Sequence, residues 1–106
     1  MNALLHRIRA ALPASLFDRS PSYDEQKRLA DHEDPLVRRT LASRTDVRPE
    51  VLYFLAGDQS SEVRREIAQN EQTPEHAHAI LARDKDDDVR VALATTSSHT
   101  LRIPRW

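Results

Sequence analysis

The stretch LADHEDPLVRRTLA, residues 29–42, is followed by two further versions of itself. Leu29-Ala30, Leu55-Ala56 and Leu81-Ala82 stand 26 positions apart. So do Val37-Arg38, Val63-Arg64 and Val89-Arg90, and Leu41-Ala42, Ile67-Ala68 and Leu93-Ala94. Six positions per unit agree across three units, and self-similarity at a fixed period of this length marks stacked repeats. A prolyl segment precedes the second and third Leu-Ala pairs, although Pro49 and Pro74 are 25 apart, one residue short of the period.

Each unit reads as two short helices. Asp34, Ser60 and Asp86 occupy N-cap positions, where a side-chain oxygen takes an orphan backbone N–H, and Pro35 sits at N1 with its φ already helical. From there Val and Leu or Ile lie four apart on one face, with Ala one step on, where a neighbouring helix can approach closely. The second helix is expected to begin at Pro49, or at Pro74 with Thr73 as its cap. Its apolar residues are Leu52 and Leu55, or Ala77, Ile80 and Leu81. Gly57, the only glycine, is expected to end one such helix in a left-handed conformation. Strands fit badly, since no apolar alternation of period two occurs. Helices of about eight to ten residues are too short to persist alone, so stacking must stabilise them.

The 106 residues are read as one all-α domain. Ser22 to Glu25, SYDE, is a capping box opening the first helix of the stack. Residues 1–20 are expected to form an amphipathic capping helix, with Leu4, Leu5, Ile8, Leu12, Leu16 and Phe17 on its apolar face. The repeats occupy 22–94, and 95–106 form a tail in which Leu101, Ile103 and Trp106 either improvise a cap or meet a partner.

With the unit written as LA-x-D-x-(S/D)-x-x-VR-x-x-(L/I)A plus a prolyl helix, residues 29–94 resemble the bacterial leucine-rich-repeat-variant family. They look equally like an uncharacterised bacterial domain family of HEAT-like repeats. The resemblance implies a short right-handed α-solenoid acting as a binding scaffold. The cysteine-held iron–sulfur cluster found in one member of that family does not carry over, because this chain has no cysteine.

Composition narrows the function. Charged residues make up 31% of the chain, yet the net charge is −1, so no global field favours nucleic acid. Basic charge is almost all arginine, with Lys27 and Lys85 the only lysines, which favours planar, two-bond recognition of carboxylates or phosphates. The longest apolar run, VLYFLA at 51–56, is far short of the roughly 20 residues that span a bilayer. A cytoplasmic protein is expected.

Arg38, Arg64 and Arg90 are the leading candidate residues, because one arginine per repeat becomes an evenly spaced row. Such a row could bind phosphates. The competing reading is structural: Asp34 and Asp86 lie four residues before Arg38 and Arg90, and Asp58 and Asp84, one repeat on, are placed to receive Arg38 and Arg64. The structural ladder is the favoured expectation. Arg39, Arg44 and Arg65 form a second basic set, diluted by Glu62, Glu66 and Glu71. His76 and His78, two apart on a helix, point to different sides and make a poor metal pair. The run DKDDD at 84–88 lacks the glycine and distal glutamate of a calcium loop. One glycine cannot build a phosphate-cradling loop, and no serine–histidine arrangement suggests a hydrolase. The sequence therefore points to a non-enzymatic scaffold without a cofactor, binding a protein or peptide, with nucleic-acid binding through the arginines as the alternative.

Overall fold

The structure, a computed structural model, describes residues 20–101, with side chains through Thr96. The expected N-terminal helix, Ile103, Trp106 and the side chain of Leu101 lie outside that range. The described residues are all-helical: α1 (Tyr23–Ala30), α2 (Pro35–Ala42), α3 (Pro49–Leu55), α4 (Ser61–Gln69), α5 (Glu75–Leu81) and α6 (Asp87–Leu101).

Local chemistry sets the helix starts. Ser22 Oγ accepts the Glu25 N–H while Glu25 Oε1 accepts the Ser22 N–H, the reciprocal capping box that begins α1. Asp34 Oδ1 accepts the Leu36 N–H and Pro35 follows at N1, beginning α2. Asp86 Oδ1 does the same for the Asp88 N–H ahead of α6. Ser60 stands at the N-cap of α4 but its hydroxyl makes no capping bond. The Ser60 N–H is instead taken by Asp58 Oδ1.

Contacts between helices sort them into two rows. Helices α1, α3 and α5 touch in succession, as do α2, α4 and α6, and the pairs α1–α2, α3–α4 and α5–α6 bridge the rows. The repeated residues line the space between. Val37, Val63 and Val89 are fully buried, as are Leu41, Ile67, Leu55 and Leu81. Each such side chain removed from water stabilises the fold by about 1.5–3 kcal/mol before entropy is counted. Ala42 and Ala68, each 0% exposed, let the next helix close in.

Two further local expectations are corrected. Gly57 is not left-handed: Ala56 caps α3 in the right-handed region and the Gly57 N–H simply bonds the Phe54 carbonyl. Thr73 does not cap α5, which has Pro74 at its N-cap. Its buried hydroxyl donates to the Ile67 carbonyl at 2.7 Å, tying the end of α4 to the approach of α5. Helix α6 runs on past residue 95, the expected start of the tail, as far as Leu101. No proline interrupts it before Pro104, and the Thr95 and Thr96 hydroxyls fold back onto the Val91 and Ala92 carbonyls, which lets polar residues sit within a helix.

Candidate docking face

The repeated arginines do two jobs with one planar group. Arg38 Nη1 donates to the His32 carbonyl at 2.7 Å, Arg64 Nη1 to the Asp58 carbonyl at 2.7 Å, and Arg90 Nη1 to the Asp84 carbonyl. In every unit the acceptor is six residues back, so the guanidinium pins the loop ahead of its own helix. The other edge reaches the next pair. Arg38 Nε and Nη2 meet Asp58 Oδ2 and Oδ1 at 2.8 and 3.2 Å, and Arg64 meets Asp84 in the same way at 2.7 and 3.1 Å. Both partners in each pair are buried, with side chains 9% exposed or less. Burial alone would raise the Asp84 carboxyl, but the Arg64 fork and the Asp86 N–H hold it below its ordinary value.

The acids four residues ahead have other work. Asp34 and Asp86 cap their helices, and Arg90 finds Asp87 within its own helix rather than Asp86. Where Asp58 and Asp84 stand in later units, the first unit has His32, whose Nδ1 accepts the Asp34 N–H at 3.0 Å. The residue 26 positions before Arg38 is Leu12, so the sequence has no arginine in register to require a carboxylate there.

The second basic set is scattered. Arg39 pairs with Glu66 at 3.2 Å and Glu62 at 3.6 Å across the α2–α4 boundary. Arg44 grips Asp46 through two bonds of 2.8 Å, and the Ser20 hydroxyl donates to the same carboxylate. The Arg44 hydrogen bonds, opposed in part by burial, hold the Asp46 carboxyl far below the usual range. Arg65 makes no ion pair among the described residues and lines a cleft of about 320 Å³ with Gln69, Asp88 and Val91. Carboxylates thus stand beside the first two arginines of this set.

A site that the sequence reading passed over lies on the α1–α3–α5 row. Phe54 is 58% exposed, and its chain neighbour Tyr53 and its counterpart 26 residues on, Ile80, are exposed as well. Tyr53 stacks against His76 with ring centroids 4.6 Å apart. Phe54 forms the ridge between two clefts. One, about 440 Å³, has Tyr23, Ala30, Val51, Lys27, Asp31 and Glu50 on its walls, and the other, about 400 Å³, runs past His32 and Glu33 to Gly57. Tyr23 is itself clamped by two cations, Lys27 and Arg48, at 4.6 and 4.5 Å from its ring. The overlooked signal is that α3 is apolar on every side from Val51 to Leu55, which no surface helix needs for its core stripe alone.

His78 Nε2 is buried without a hydrogen-bond partner, but no group of three His, Asp or Glu among the described residues could hold a metal ion. None of the described helices is long and apolar enough to cross a membrane. Comparison of the chain with protein-family models, curated proteins and solved structures finds no match.

Proposed function

We propose that the protein is a short right-handed α-solenoid of the HEAT-like or leucine-rich-repeat-variant kind. It serves in the cytoplasm as a non-enzymatic scaffold that binds a protein or peptide. The observation that carries this reading is Phe54, a large apolar side chain left in water between two clefts with mixed walls, with Ile80 exposed at the repeat-equivalent position of α5. Exposed apolar ridges rimmed by charge are the usual anchors of protein interfaces. Nucleic-acid binding has less support. The arginines best spaced to follow a phosphate backbone, Arg38 and Arg64, are buried on aspartates.

The test is affinity capture from extracts of the source organism with the wild-type chain, Phe54→Asp and Arg65→Ala. Loss of the captured protein with Phe54→Asp alone supports the reading. Equal recovery with all three refutes it. Titration of labelled duplex DNA at low and moderate salt checks the alternative, since phosphate contacts weaken steeply with added salt.

A further inference from the structure

The third helix pair exposes positions that the first two pairs bury. Ala30 and Ala56, Ala42 and Ala68, and Arg38 and Arg64 are all buried, whereas their counterparts Ala82, Ala94 and Arg90 are exposed. The Arg90 side chain is 42% exposed, against 8% and 9% for the other two. Its Nη1 still meets the carbonyl six residues back. Its Nη2 has turned to Asp87, and its Nε, which in Arg38 and Arg64 takes a carboxylate oxygen, has no partner among the described residues.

We propose that this face of α5 and α6 docks a helix pair from another protein, one with an aspartate two residues ahead of a helix N-cap. Asp58 stands two residues before Ser60, and Asp84 two before Asp86. Each delivers both carboxylate oxygens to the arginine of the preceding pair. The same junction built twice within the chain defines what the third arginine accepts. The exposed alanines add the steric half of the match, since a helix backbone can seat closely over Ala82 and Ala94 as it does over their buried counterparts. A second copy stacked head to tail would not supply the acid, because His32 occupies that position and its Nδ1 already holds the Asp34 N–H. This site is separate from the Phe54 ridge and does not depend on it.

The probe is a synthetic peptide of residues 47–70, which carries Asp58 between the sequences of α3 and α4, with a side-chain staple across the outer face of each helix because helices this short do not persist alone. Once circular dichroism shows it helical, it is titrated into the isotope-labelled full chain and followed by NMR. The expected result is a saturable shift at Ala82, Ala94 and the Arg90 Nε–H. Asp58→Asn in the peptide, or Arg90→Ala in the chain, should weaken binding about tenfold, the worth of a charge-assisted two-bond contact. Phe54→Asp in the chain should leave it unchanged. No shift at millimolar peptide, or binding that ignores both substitutions, overturns the proposal. So do concentration-dependent shifts at these residues in the chain without peptide, which would give the face to a second copy.

Discussion

Arg64 and Asp84 join two consecutive helix pairs through a two-bond fork, Nε to Oδ2 at 2.7 Å and Nη2 to Oδ1 at 3.1 Å, with both side chains buried. Removing the cation strands a carboxylate away from water. Arg64→Ala should therefore cost about 3–5 kcal/mol, whereas Arg65→Ala, without an ion pair among the described residues, should stay within about 0.5 kcal/mol. Urea unfolding of the two variants side by side checks this, and matching midpoints would contradict the ladder.

Asp84 also gives the ladder a pH signature. Its carboxyl is held below the ordinary value, so its contribution to stability is present above about pH 4 and is lost as pH falls through its folded-state value. Asp84→Asn keeps an acceptor for the Asp86 N–H but removes the charge. The gap in stability between wild type and variant should be constant from neutral pH to about pH 5 and narrow below about pH 4. Unfolding midpoints measured across that range read it directly, and a gap that widens on acidification has the wrong sign.

Gly57 offers a gain. Its backbone needs no positive φ, and an added Cβ would come no closer than 3.8 Å to the Phe54 carbonyl. Gly57→Ala should stabilise the fold by about 0.4–1 kcal/mol by narrowing the unfolded ensemble. Calorimetry should show a higher Tm. A lower one would mean the turn requires glycine after all.

Asn70 is a tie between neighbouring loops. Its buried Nδ2 donates to the Ala42 and Arg44 carbonyls at 2.8 and 2.7 Å, and its Oδ1 accepts the Gln72 N–H. Asn70→Ala should cost about 2 kcal/mol, because it leaves buried carbonyls without donors. Faster amide exchange in residues 42–46 than in α1 would place the opening where the structure does.

Much of this was legible in the spacing of the residues. The step of 20 from Arg38 to Asp58 and from Arg64 to Asp84 is one repeat less the six residues from loop to arginine, so a two-helix unit brings those groups together. The capping roles of Ser22, Asp34 and Asp86 were equally readable, because capping is local. Side-chain direction was harder. Arg90 pairs with Asp87 rather than Asp86 because the acid at the cap is turned toward backbone N–H groups. Gly57 misled because a helix can end in a right-handed turn, and glycine tolerates that conformation as well as the left-handed one. Phe54 went unseen for another reason: in a run apolar on all sides, periodicity cannot say which residues face water.

Asp58 and Asp84 each serve two masters. Besides the arginine of the preceding pair, Oδ1 of each accepts the N–H of the residue at the next helix cap, Ser60 or Asp86. The atom that locks one helix pair to its neighbour thus also shapes the chain where the following helix begins. Fraying of either partner takes away support from the other. Short helices that would otherwise melt pair by pair are bound into a cooperative unit, and their unfolding should be all-or-none.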